Sequence, residues 1–170
     1  AVLRGEIAFD NVPDYIRLMG VRGTVLNGLD FARHKALDVF DRAIGLDDVY
    51  SVRGALRAHD ISEHTPENVN DPGFLDFLRE QEVDLVVSIA CPQIVREDLL
   101  NCPPEGVINI HGALLPKYRG KLPSFWVLAN GEEKTGVTVH YMNEDLDDGP
   151  IIVQREVPIR PNDTLHSLVL

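Results

Sequence analysis

The run "DLVVSIA", residues 84–90, constrains the fold most, because its apolar residues follow one another without the polar alternation of a half-exposed strand. Such a run suits a strand covered on both faces of a parallel sheet, and parallel strands need crossover connections that are usually helical. The preceding segment supplies a helix. In "DPGFLDFLREQ", Asp71 can cap, Pro72 fits the first helical position, and Phe74, Leu75, Phe77 and Leu78 make one apolar face. "PQIVREDLL" is a short helical pattern, "GVINIH" a second buried strand, and "LPSFWVLANGE" a helix ending at Asn130-Gly131. "TGVTVHYM" and "PIIVQREVPI" then alternate as two strands of a hairpin-like pair joined through "NEDLDDG". The pattern predicts an α/β fold with a mixed, mostly parallel central sheet flanked by helices, parallel where helices intervene.

The first third reads differently. "GEIAF", residues 5–9, is a candidate strand, and Gly20, Gly23 and Gly28 weaken any single long helix after it. "DFARHKALDVFDRAIG" has apolar residues at helical spacings between Asp30 as N-cap and Gly45 as terminator, so a helical insertion at about 13–45 is expected.

The 170 residues carry a formal net charge of −11, which repels a phosphate backbone unless basic residues are locally concentrated. No such concentration is visible, so nucleic acid is not an expected partner of this domain. The apolar runs fall far short of the ~20 residues that cross a bilayer, and no secretory leader is visible. Cys91 and Cys102 stand in neither a metal-ligand nor a disulfide-scaffold spacing. A cytoplasmic location is the default.

Within "GVINIHGALLPKYRG", Asn109 and His111 lie two apart on a strand and so project to one face, at the carboxyl end where open α/β sheets bind ligands. An amide can donate to a carbonyl oxygen that gains negative charge, and an imidazole can do so or pass a proton. A neutral histidine needs a partner to fix its tautomer, and Asp145, Asp147 and Asp148 in the acidic loop are all candidates.

"NIHGALLPKYRG" followed by "NGEEKTGVTVHYMNEDLDDGPIIVQ" resembles the formyltransferases that use 10-formyltetrahydrofolate: the glycinamide ribonucleotide, methionyl-tRNA and sugar-nucleotide enzymes and the related deformylase. The resemblance implies a Rossmann-like formyltransferase fold in one catalytic domain over residues 1–170. It also implies direct passage of a formyl group from the folate to an acceptor amine, with no metal. Asn109 and His111 match the family's catalytic amide and imidazole, which would hold the formyl oxygen. Asp147 matches its carboxylate, which would orient His111 and help move a proton. Gln93, Ile94 and Val95 fall where the family's folate pocket is lined, with Asp145 and Asp148 closing the other side. Lys117 and Arg119 could reach a phosphate or carboxylate of the acceptor, and His140 is given a supporting role near the pocket.

Two departures from the family's pattern stand out. Ala113 replaces a usual serine, and the family's opening strand, small-residue turn and helix are not found, so the chain reads as incomplete at its N-terminus. An edge left unpaired by a missing strand invites association, which adds a homodimer to the expected partners. The expected acceptor is an amino-sugar nucleotide or other small amine. The alternatives are methionyl-tRNA, water as in a formyltetrahydrofolate hydrolase, and a folate-binding module without turnover.

Overall fold

The computed structural model describes residues 12–44 and 52–169, and the chain divides into two units, Ala1–Thr65 and Pro66–Leu170. In the first unit, α1 (Val12–Ile44) is helical except at Gly20, whose φ of 69° and ψ of 168° kink it. Asp30 therefore lies inside a helix and does not cap one. The backbone is helical through Gly23 and Gly28, since an isolated glycine costs only about 1 kcal/mol against alanine in a helix and its neighbours here are adequate helix formers. The expected strand at 5–9 and Gly45 lie outside the described residues. A second helix, α2 (Val52–Ala58), is followed by an ion pair in which Arg53 donates to both carboxylate oxygens of Glu63, at 2.9 and 3.0 Å.

The second unit begins with α3 (Pro72–Glu80), which starts as expected at Asp71. The cap works through the main chain: Phe74 and Leu75 N–H donate to the Asp71 carbonyl, and the Asp71 side chain makes no capping bond. Phe74, Leu75 and Leu78 are buried and Phe77 is not, so the apolar face is narrower than its pattern suggests. Four strands follow, β1 (Val86–Ile89), β2 (Val107–His111), β3 (Lys134–Tyr141) and β4 (Ile151–Pro158), lying side by side in chain order. Short helices α4 (Glu97–Leu100) and α5 (Pro123–Ala129) sit in the connections, and α6 (Leu165–Val169) closes the described chain.

The sheet is mixed, but the balance differs from expectation: β1 and β2 are parallel, whereas β2 with β3 and β3 with β4 are antiparallel. A helix does intervene between β2 and β3. The connection nevertheless stays at the carboxyl end of β2, because Thr138 of β3 bonds both the carbonyl of Ala113 and the N–H of Leu115 just beyond that end. The chain thus re-enters the sheet from the end it left.

Register sorts the side chains. Ser88, Val107, Asn109, His111, Thr138, His140 and Gln154 share one face, and its members at the centre of the sheet are largely buried. Val87, Ile89, Ile110, Val137, Val139 and Val153 share the other. There Val87 and Ile89 are 48% and 66% exposed, so β1 is covered on one face only and not on both. Unbroken hydrophobicity signals a strand that favours cover without specifying what provides it.

The β3–β4 turn depends on Gly149, which is buried, and a Cβ at this position would collide with the backbone carbonyl of Tyr141. We expect Gly149→Ala to destabilise the chain by about 2 kcal/mol or more, read as the midpoint of urea unfolding. Gly73→Ala, where nothing lies within 4 Å of the added carbon, should leave the midpoint near its starting value.

Candidate functional site

Strand pairing brings four polar side chains to one place. Asn109 lies opposite His140, and His111 lies opposite Thr138, all on the shared face. His140 is 1% exposed and His111 6%. The ladder between β3 and β4 slips beside this spot, with Val139 opposite Val153 but His140 opposite Ile151, which leaves Ile152 as an extra residue. Such bulges commonly re-aim a side chain next to a functional site.

Asp147 enters from the acidic loop with a φ of 49°, a left-handed conformation that aspartate adopts more readily than most residues. Its carboxylate, 10% exposed, is held by the backbone N–H of Gly120, which donates to Oδ2 at 2.7 Å. Asn109 Nδ2 donates to Oδ1 at 3.3 Å. His111 Nδ1 stands 3.5 Å from Oδ2, and His140 Nε2 stands 3.6 Å from Oδ1. The Gly120 N–H and the Asn109 amide donate to this enclosed carboxylate and offset part of its lost hydration.

The hydrogen-bond partners assign the tautomers. His140 Nδ1 is 2.8 Å from the carbonyl of Tyr141, so it carries the proton, and Nε2 accepts from Asn109 Nδ2 at 3.3 Å. Both amide hydrogens of Asn109 are thus directed to His140 and Asp147. His111 Nε2 is 2.8 Å from the carbonyl of Tyr118 and donates to it, which leaves Nδ1 facing Asp147. The site therefore contains amide donors, an imidazole whose free nitrogen borders a carboxylate, and the means to polarise a carbonyl and hold a proton.

The loop 112–122 forms the near wall. Thr138 Oγ1 donates to the Ala113 carbonyl at 2.6 Å and accepts from Leu115 N–H at 3.1 Å, while Gln154 Nε2 donates to the Leu115 carbonyl at 2.7 Å. The Leu115–Pro116 peptide bond is cis. Arg119 pairs with Asp148, tying this loop to the acidic one. Glu132 accepts from both Tyr118 Oη at 2.7 Å and Lys117 Nζ at 2.9 Å. Hydrogen bonds from Tyr118 and then Lys117 hold the Glu132 carboxyl below its ordinary 4.5. The bond to Glu132 raises Lys117 above 10.5 and Tyr118 above 10.0.

Residues 40–169 match the family model described as "Formyl transferase". The chain belongs to this family. It is 43% identical over 114 residues to the methionyl-tRNA formyltransferase of Trichlorobacter lovleyi, covering 67% of this chain and 36% of that protein. It is 36% identical over 169 residues to the methionyl-tRNA formyltransferase of Staphylococcus epidermidis, covering 96% and 52%. The glycinamide ribonucleotide transformylase 1 of Symbiobacterium toebii superposes with a TM-score of 0.63 at 30% identity, over 72% of this chain and 60% of that one. The chain thus spans between about a third and about half of these curated relatives. The Rossmann-like formyltransferase architecture implied by the resemblance is shared with this solved neighbour and with the phosphoribosylglycinamide formyltransferase of Bacillus Halodurans, which superposes with a TM-score of 0.63 at 26% identity over 81% of this chain and 80% of that one.

Of the residues singled out from the family's pattern, Asn109, His111 and Asp147 converge, and His140 joins them through its contact with Asn109. Asp148 and Arg119 meet each other at the rim. Gln93 spends its side chain on the loop before α3, accepting from Val69 N–H and donating to the Glu67 carbonyl, both at 2.9 Å. Ile94 is 77% exposed, Val95 is buried in the core, and Asp145 is exposed. Lys117 faces Glu132. Side-chain patterns do not reveal the carbonyl of Tyr118 or the N–H of Gly120, because both act through the main chain. His140 and Thr138 carried a usable signal: their two-residue spacing mirrors that of Asn109 and His111 on a strand that alternates in the same way. Among the described residues no cluster of three or more His, Cys, Asp or Glu is arranged to hold a metal, and no helix is long and apolar enough to cross a membrane.

Two outcomes are expected. Thr138→Val keeps the shape but strands the Leu115 N–H, which should cost about 1–3 kcal/mol in denaturant unfolding. Glu132 titrates lower when folded, so its contribution is present above 4.5 and is lost as pH falls through its folded value. The gap in thermal midpoint between the chain and Glu132→Gln should therefore close under acid. Lys117 and Tyr118 titrate higher when folded, so their contributions hold below 10.5 and 10.0 and fade as pH rises through their folded values.

Proposed function

We propose that this chain transfers a formyl group from 10-formyltetrahydrofolate to an acceptor amine, with Asn109, His111 and Asp147 as catalytic residues. The observation that carries the reading is the convergence of an amide, an imidazole and an enclosed carboxylate at the carboxyl end of β2, with His111 Nδ1 3.5 Å from Asp147. The 3.3 Å contacts of Asn109 are long for hydrogen bonds, so one amide hydrogen can turn to the formyl oxygen at little cost. His111 can donate to the same oxygen only once its Nδ1 has taken up a proton, because its Nε2–H is given to the Tyr118 carbonyl.

When the amine attacks the formyl carbon, the tetrahedral intermediate carries negative charge on that oxygen and positive charge on the amine. Asn109 stabilises the first, and Asp147 with His111 accepts the proton shed by the second. That proton then goes to the folate nitrogen as its bond to the formyl carbon breaks. The products are an N-formyl acceptor and tetrahydrofolate, and one proton has moved from amine to folate. Ile94, exposed on the loop after β1, supplies apolar surface for the pterin, with Gln93 and Val95 bracing the loop and Asp145 and Asp148 on the opposite side. Lys117 and Arg119 sit in exposed ion pairs of small net strength and can exchange these for an acceptor's phosphate or carboxylate.

The names of the curated relatives make the amine of methionyl-tRNA the first acceptor to test, and an amino-sugar nucleotide the second. The chain is to be incubated with 10-formyltetrahydrofolate and each acceptor, and formylated product measured by mass. His111→Ala should lower turnover by a factor on the order of a hundred or more while the stability gained from a folate analogue persists. Formate released without acceptor would assign water the acceptor's place. Neither product nor stabilisation in the folded parent chain would overturn the reading.

A further inference from the structure

We infer that Glu132 is a positioning residue: through Tyr118 it fixes His111 in the Nε2–H tautomer and so reserves Nδ1, beside Asp147, as the nitrogen that receives a proton. The kinetic consequence rests on the proposed function, but the tautomer does not.

The argument starts at the end of α5. Gly131, with a φ of 66°, closes the helix: its N–H donates to the Leu128 carbonyl at 3.0 Å, and Glu132 N–H donates to the Val127 carbonyl at 3.2 Å. This double closure is a Schellman motif, which satisfies the last carbonyls and fixes the direction of the residue after the glycine. Val127 is 1% exposed, so the helix end is anchored in the core. Glu132 therefore presents its carboxylate from a rigid base.

One oxygen of that carboxylate accepts from Tyr118 Oη at 2.7 Å and from Lys117 Nζ at 2.9 Å, and Asn130 Nδ2 donates to the Tyr118 hydroxyl at 3.3 Å. Tyr118 itself has a φ of 59°. A bulky residue in the left-handed region persists only where its surroundings hold it, and here the phenol is held at Glu132 and Asn130. The carbonyl of the same residue then points at His111 Nε2, 2.8 Å away.

A carbonyl oxygen only accepts, so it holds a proton on Nε2, and in the neutral ring the lone pair is then on Nδ1. If Tyr118 moved away, nothing would oppose the other tautomer, in which Nδ1–H donates to Asp147 and the ring can no longer take a proton on that side. In the transfer step the amine's proton goes to Nδ1 and leaves for the folate nitrogen, so the ring ends as it began.

The test is to label the chain with nitrogen-15 and record the imidazole nitrogens of His111, assigned by their loss in His111→Gln. The parent should show the Nε2–H pattern. Glu132→Ala and Tyr118→Phe should each shift it toward a mixture, the double variant should go no further than the larger single effect, and Glu132→Gln, whose carbonyl still accepts from the phenol, should recover most of the parent pattern. In parallel, kcat of Glu132→Ala should fall about tenfold with KM for the folate nearly unchanged. An unchanged imidazole pattern in folded Glu132→Ala or Tyr118→Phe overturns the inference, even if Tm falls. A shifted pattern in a chain that formylates nothing leaves the inference standing and removes the proposed function, so the two failures are distinguishable.

Discussion

The hydrogen bond from the Gly120 N–H to Asp147 holds the site together. It joins the loop after β2 to the loop between β3 and β4, which are far apart in sequence, and it does so at a carboxylate that is nearly enclosed. Without that donor the carboxylate would keep one long bond, from the Asn109 amide, too little to offset the loss of water. Gly120 has a φ of 89°, which a side chain would oppose, so the residue that supplies the donor is one that can bring its backbone close. The positive φ of Asp147 completes the approach from the other side.

Around this bond the structure divides its tasks. The strands carry most of the polar groups at the centre of the site, with Asn109 and His111 on β2 and His140 and Thr138 opposite on β3. The loops carry the rim, where Arg119 meets Asp148 and Lys117 meets Glu132. Strand positions are held by a ladder of main-chain bonds and loops by a few side chains, so acceptor recognition can vary between relatives while the reacting centre stays put. The comparisons fit that division: a methionyl-tRNA formyltransferase is similar to this chain in sequence, and a glycinamide ribonucleotide transformylase superposes on it.

Much of this was legible beforehand, for identifiable reasons. The strands β2, β3 and β4 and the end of α5 at Asn130-Gly131 announce themselves through periodicity and turn chemistry, which are local. Asn109 and His111 were visible because polar residues interrupt an apolar strand. Choosing Asp147 over Asp145 and Asp148 required the family's pattern, because three acidic residues in one loop look alike until the main chain selects one. The direction of β3 was not legible, since it depends on Thr138 capturing the loop after β2, a contact between residues 25 apart. The open face of β1 was misread for a similar reason: an apolar run reports the cover it favours and not the cover it has. Tyr118 and Gly120 were invisible because their backbone atoms act, whatever side chains they bear.

The pairing of β2 with β3 has one further consequence. Asn109 and His111 face His140 and Thr138 in strict register, and the residues between them, Ile110 and Val139, are apolar. Sliding either strand by a single residue would turn its whole polar set outward and bring valine and isoleucine inward. A misaligned chain would therefore have no partial version of the site, so the ladder acts as a proofreading device: the constellation assembles only in molecules whose sheet has closed in the one correct alignment.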